Sequence, residues 1–387
     1  MAGVAFATWA SRIADIKAVL GLSAAELGVT LLAVSAGSLI AMPLAGRIVH
    51  RLGMLRAIGA SAAIVLAGFA VAAVAVDLWQ SRVGLATGLA LLGLGIGVWD
   101  VAMNLEGAHV ERLLGVSAMP HFHAAFSGGT VVSGLIGAGM SRLEVALVPH
   151  FAGAVVLGVV AMVWALPRFV PLDREEEPGP EAGKRTPERS AWTEPRTLLI
   201  GVLTFVAAFT EGTANDWLAV AFHEGHGVPR WGGVLAFASF LFFMTVGRLV
   251  GTHLLDRYGR VPVLRVLFLL ALAGSALVVF GNNVLAYVGT ALWGVGVSLG
   301  FPVGMSASAD DPARAPARMS VVATIGYAAF ISGPPLLGFL GDQVGVLQAL
   351  SVVGVMALFA QLVIPAAREP QPAHVRPERT VVDPGTI

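Results

Sequence analysis

The stretch Ala57 to Val76, AIGASAAIVLAGFAVAAVAV, carries no charged side chain over twenty positions and is fenced by Arg56 and Asp77. A helix of that length rises about 30 Å, the thickness of a bilayer's hydrocarbon core, so the stretch predicts a membrane-spanning helix. Ten further runs of the same kind lie near residues 27–46, 85–108, 121–141, 146–167, 197–220, 232–251, 263–281, 284–306, 319–340 and 345–365. A twelfth is partial: Met1 to Ala10 covers only about 15 Å before Arg12, Asp15 and Lys17 arrive. It lacks the charged start and small-residue cleavage site of a signal peptide, and we expect it to be the outer half of a first helix whose beginning is missing through a start assigned too late.

Composition agrees and excludes much else. Of 387 residues 56% are hydrophobic and only 12% charged, which is not the balance of a water-soluble chain. Twenty-four basic residues offset 24 acidic ones, so nothing in the net charge offers a footprint for nucleic acid. Without cysteine there is no disulfide framework and no thiolate nucleophile or metal ligand. With twelve spans and an inside amino terminus, 19 of the 24 basic residues fall in cytoplasmic segments, an asymmetry that places both termini in the cytoplasm of a multi-pass protein of the cell's inner membrane. Residues 168–196 and 367–387 mix charge with Pro and Gly and are expected to be a cytoplasmic linker and a disordered cytoplasmic tail.

The chain also repeats itself. Ala124-Ala125-Phe126 recurs as Ala328-Ala329-Phe330, Gly95-Ile96-Gly97-Val98 as Gly294-Val295-Gly296-Val297, and His50-Arg51-Leu52-Gly53 as Asp256-Arg257-Tyr258-Gly259. The offsets are nearly constant, close to two hundred residues. They predict an all-α membrane protein of twelve transmembrane helices, the first truncated, in two pseudo-symmetric six-helix bundles, residues 1–167 and 197–366. Forty-seven glycines, many closely spaced, fit tight helix packing.

Gly46 to Arg56, GRIVHRLGMLR, and its twin Asp256 to Arg260, DRYGR, resemble the signature loop of the major facilitator superfamily. In the first copy His50 stands where the family usually has Asp, at the position to which a gate-locking charge interaction is ascribed. Four strings narrow the resemblance: Trp9 to Ile13 (WASRI), Asp100 to Asn104 (DVAMN), Met119 to Ala124 (MPHFHA) and Glu211 to Trp217 (EGTANDW). They are similar to the MosC-like branch, which includes a rhizopine permease. The resemblance runs over residues 1–365. It implies alternating access by the two bundles, with the first, fourth, seventh and tenth helices lining a central cavity.

Ionisable groups at membrane depth are costly unless they face a cavity or a partner, which makes each one a functional candidate. Asp100 and Asn104 share one face of the fourth helix at i, i+4; Glu211 and Asn215 share one face of the seventh, with Asp216 rotated off it. Asp100, Glu211 and Asp216 are candidates to carry a proton, and His123 to relay one; Asp100, Asn104, Glu211 and Asn215 are candidates to bind solute. Trp99 and Trp293 could stack on a ring-like solute, whereas Trp9 and Trp217 also suit the membrane interface. Arg248 is expected either to pair with an acidic residue across the bundle or to snorkel inward. Arg51, Asp256, Arg257 and Arg260 are expected to form loop ion pairs that favour one access state.

His121 and His123 are spaced badly for a metal clamp, and no phosphate-cradling glycine loop occurs, so neither metal, cofactor nor ATP is expected. An intramembrane enzyme would have to use Ser127 beside His123, the only nucleophile and base close in sequence; a sensor without flux is the other rival. The reading that follows is no enzyme but a secondary active transporter, proton-coupled, acting as a monomer in the lipid bilayer on a small polar solute such as a sugar, polyol or inositol-like compound. Efflux of a drug or toxic compound is the alternative.

Overall fold

The computed structural model describes residues 1–114, 119–168, 190–311 and 313–369, and every regular element among them is helical. The N-terminal half runs α1 (Ala2–Ala10), α2 (Ile13–Leu20), α3 (Ala24–Leu52), α4 (Met54–Asp77), α5 (Arg82–Leu114), α6 (Met119–Arg142) and α7 (Leu147–Ala165). The C-terminal half runs α8 (Pro195–His226), α9 (Arg230–Tyr258), α10 (Arg260–Phe280), α11 (Asn283–Val297), α12 (Gly300–Ser308), α13 (Ala315–Val344), α14 (Val346–Ala349) and α15 (Ser351–Val363). Among the described residues, eleven segments are long and apolar enough to cross a bilayer. We call the face at which α7 ends and α8 begins the linker face, and the other the opposite face.

Two departures from the sequence expectation matter for function. Arg12 and Asp15 do not end the first span in water: α2 continues past them, and they are 2% and 6% exposed. Arg12 Nε donates to Asp15 at 2.7 Å, Nη2 to the Val145 carbonyl at 2.7 Å, and Nη1 lies 3.1 Å from His150 Nδ1. Mutual neutralisation lets the charges sit among helices where single ones could not. The apolar run near residues 284–306 is also not one continuous helix, since it breaks between α11 and α12 at Ser298 and Leu299.

Two glycine contacts recur between the halves, in a register that pairs Gly93 with Gly294 and Gly95 with Gly296, two residues off the match of Gly95 with Gly294 read from the sequence. A Cβ on Gly93 of α5 would lie 2.0 Å from the Val34 carbonyl oxygen of α3, and one on Gly294 of α11 would lie 2.4 Å from that of Phe240 on α9. On the other flank, Gly95 meets the Ser61 oxygen of α4 at 2.7 Å and Gly296 meets the Leu267 oxygen of α10 at 2.6 Å. Val34 and Phe240, like Ser61 and Leu267, stand 206 positions apart. Where lipid supplies no hydrophobic drive between helices, backbones this close gain dispersion contact that any larger residue would abolish. The loops repeat as well: α3 and α9 both span 29 residues and end at Gly53 and Gly259, with φ of 80° and 78°. Only glycine takes that φ without strain, so each loop turns sharply into the next helix.

Candidate functional site

The helix breaks and glycine contacts bring α8, α9 and the α11–α12 junction together around one charged group. Arg248 of α9 donates from Nη2 to both carboxylate oxygens of Glu211 on α8, each at 3.1 Å, and from Nε to the carbonyl oxygen of Ser298 at 3.3 Å. The break between α11 and α12 frees that carbonyl from the regular helical ladder, which explains why a guanidinium can reach it. The side chains of Arg248 and Glu211 remain 31% and 19% exposed, so the pair borders open space. Of the two expectations for Arg248, pairing is what the structure shows, and the partner lies within its own half.

Other candidates are placed differently. Asp100 on α5 is partly buried and lies within electrostatic reach of the Tyr327 phenol of α13, in the other half. Asn104 Nδ2 donates to the Asp100 carbonyl at 2.9 Å, so its amide serves its own helix. On α8, Asn215 Oδ1 is buried and accepts no hydrogen bond among the described residues. Asp216 is partly buried and has no hydrogen-bond or ion-pair partner among them. Glu211, Asn215 and Asp216 thus occupy three unlike surroundings within two turns. Tyr327 also closes an aromatic row, 6.0 Å from Phe301 and 6.3 Å from Phe330 between ring centroids.

Trp99 and Trp293 do not face open space in this conformation. Trp293 is 0% exposed and packs edge-on against Phe240 at 5.9 Å; Trp99 is also buried, and like Trp217 both keep the indole N–H without an acceptor among the described residues. The side chain of His123 lies outside the described residues. Of the loop charges, Arg51, Asp256 and Arg257 are exposed, with Arg257 over the Tyr258 ring at 5.3 Å. Arg260 is bound up, donating to Asp310 at 2.8 Å and to Ser306 at 3.1 Å.

Two features escaped the sequence. Glu106 of α5 is buried beside a hollow of about 480 Å³ that Met103, Phe126, Trp164 and Arg168 also line, near the linker face. Its charge inside an apolar run was the available signal. The second is the junction of the halves at the opposite face, where Arg230 pairs with Asp15 at 3.2 Å, Lys17 pairs with Glu224, and Asp342 accepts from Ser23 Oγ at 2.9 Å and Ala24 N at 2.7 Å. No spacing rule relates residues two or three hundred positions apart.

Comparison with known proteins agrees with this architecture. The chain matches the profile of the Major Facilitator Superfamily over residues 1–310 and 231–384. An uncharacterized MFS-type transporter of Yersinia pestis is 32% identical over 383 residues, covering 95% of this chain and 92% of that protein. The membrane protein MosC of Rhizobium meliloti is 27% identical over 382 residues, covering 96% and 89%. Among solved structures, a mutant of the nucleoside transporter NupG superposes with a TM-score of 0.77 at 12% identity, covering 95% of this chain and 97% of that one. A D-xylose-proton symporter superposes with a TM-score of 0.69 at 14% identity, covering 95% and 96%. At such identities the likeness to the two structures is one of fold.

Proposed function

The chain belongs to the Major Facilitator Superfamily, and on that premise we propose that this transporter is a proton-coupled carrier of a small polar solute, a sugar, polyol or inositol-like compound, working by alternating access. The observation that carries the reading is the Glu211–Arg248 pair on helices of the second half, at membrane depth and bordering open space. A charge pair held there costs desolvation that ordinary packing would not incur, which is the mark of a working group. In the state described, the Glu211 carboxylate is matched to a guanidinium. A proton taken up by Glu211 replaces Arg248 as its partner, and the guanidinium is released within the same half. Asp100 and Asp216 are further acceptors on the same route. Asn215 offers solute hydroxyls its amide oxygen, unpaired among the described residues, and Asn104 does so with the part of its amide not bonded to the Asp100 carbonyl. The aromatic row of Phe301, Tyr327 and Phe330 supplies flat apolar faces for the carbon skeleton of a sugar or polyol.

The same reading places α1 and α2 as the first of twelve spans in a six-plus-six duplication, for which the repeated glycine contacts are the support. It places the linker face in the cytoplasm of the inner membrane, on the strength of the basic-residue asymmetry.

The test is transport by the purified protein in liposomes. Glu211→Gln is expected to abolish accumulation driven by a proton gradient while sparing solute exchange at equal concentrations. Uphill uptake that survives the change would remove Glu211 from the coupling mechanism. Competition by sugars and inositols, rather than by lipophilic cations, is the expected pattern for the solute.

A further inference from the structure

The N-terminus of α3 is satisfied in two layers. The first is local: Ser23 Oγ accepts from Glu26 N at 3.2 Å and Glu26 Oε2 accepts from Ser23 N at 2.9 Å, a complete capping box within the N-terminal half. The second comes from the other half. Asp342, near the C-terminal end of α13, accepts from the Ala24 N–H at 2.7 Å and from the Ser23 hydroxyl at 2.9 Å. A carboxylate thus sits against the positive end of a helix that belongs to the other rocking body. Backbone packing makes the approach possible. A Cβ on Gly338 would lie 2.5 Å from the Ala24 carbonyl oxygen, and one on Gly28 would lie 2.4 Å from that of Pro334.

The other ends of this antiparallel pair differ in the charge they carry. The linker-face end of α3 and its loop into α4 carry Arg47, His50, Arg51 and Arg56 and no carboxylate. The start of α13 carries Arg314 and Arg318, which pair with Glu194 and Asp311 of the same half. Closing the linker face therefore brings basic ends together, while closing the opposite face seats an acid on a helix terminus.

We propose that Asp342 is a latch between the halves: by capping α3 from across the interface, it makes the state closed at the opposite face the resting state of the empty carrier. The capping box within the N-terminal half survives when the halves part, so only the second layer changes with access. Lys17–Glu224 and Arg230–Asp15 close at the same face and reinforce it.

The proposal rests on the carrier reading only in that two halves rock, and its test uses neither solute nor proton gradient. The chain contains no cysteine, so spin labels go only where cysteines are introduced. Full-length protein in nanodiscs is labelled at Arg47→Cys with His253→Cys for the linker face, and at Leu78→Cys with Phe280→Cys for the opposite face. Pulsed electron resonance then reads both distances. Asp342→Ala is expected to lower the ratio of closed to open opposite-face populations roughly threefold or more, with the linker-face distance shortening in step. Asp342→Asn, which keeps the size and one acceptor, shifts the ratio the same way by less. Gly338→Ala opens the same face by steric contact with Ala24. Unchanged distributions in Asp342→Ala, or broadening at both faces together, would overturn the latch. So would opening by Gly338→Ala with no effect of either Asp342 change, since packing alone would then hold the face shut.

Discussion

The two faces of the protein handle charge in opposite ways. At the opposite face acids and bases reach from one half to the other: Asp15 to Arg230, Lys17 to Glu224, and Asp342 to the start of α3. At the linker face the ion pairs seen among the described residues lie within the C-terminal half. Arg196 and Arg260 both hold Asp310, at 2.6 and 2.8 Å, while Glu194 takes Arg314 and Arg318. Arg260 N also donates to Glu369 at 2.7 Å, and Arg196 to the Ala366 carbonyl at 3.0 Å, which ties the segment after α15 to the same cluster. Charges that cross between halves must break when access changes; charges within one half move as a body. The first kind sets an equilibrium, and the second stiffens a lever.

That contrast can be broken most severely at Asp15. Asp15→Ala leaves Arg12 buried and uncompensated, and a loss of about 3–5 kcal/mol is expected, read as a large fall in the thermal midpoint in detergent together with an opened opposite face. Asp310→Ala removes the shared partner of two guanidinia, and because Arg196 is 41% exposed the expected loss is smaller, about 2–3 kcal/mol. Here the label distances between halves should stay as they were. A change in those distances with Asp310→Ala would dissolve the distinction between the faces.

Glu194 sharpens the comparison by pH. Burial pushes its carboxyl up, but the Thr197 hydroxyl and the Arg318 and Arg314 guanidinia outweigh that and hold it below its ordinary value. A carboxyl depressed in the folded state contributes stability above its unfolded value, and that contribution is lost as pH falls through the folded one. The thermal midpoint should therefore decline below about pH 4.5, and Glu194→Gln should flatten that part of the profile. A curve that Glu194→Gln leaves unaltered would put the acid sensitivity elsewhere. The smallest effect belongs to Lys17→Ala: its partner Glu224 is 38% exposed, and surface pairs of this kind contribute less than about 1 kcal/mol. Its thermal midpoint should barely move, while a slight opening of the opposite face remains measurable.

Much of the architecture was legible because a bilayer imposes a length and forbids charge, so eleven spans stand out by inspection of the chain. The i, i+4 relation of Glu211 and Asn215, with Asp216 turned off that face, also followed from helical geometry. What spacing could not give was the company each side chain keeps. Arg248 sits 37 positions from Glu211, and only the packing of α9 on α8 decides that they meet. Trp293 was a fair candidate for a ring-stacking surface until Phe240 and the close approach of α10 enclosed it. Arg12 was expected to end a span in water, and His150, 138 positions away, is part of what lets it stay buried.

By itself the sequence determined the solvent of this protein, the number of long apolar segments, the repeated loop with its glycine, and the carboxylates that have no reason to lie in hydrocarbon. These are local consequences of transfer free energy and backbone sterics, and they need no partner. Tertiary structure alone decided which charges neutralise one another and which face is joined. Such pairings depend on distances of about 3 Å between residues far apart in the chain, and Coulomb and hydrogen-bond energies at that range are fixed by packing, which no linear spacing encodes.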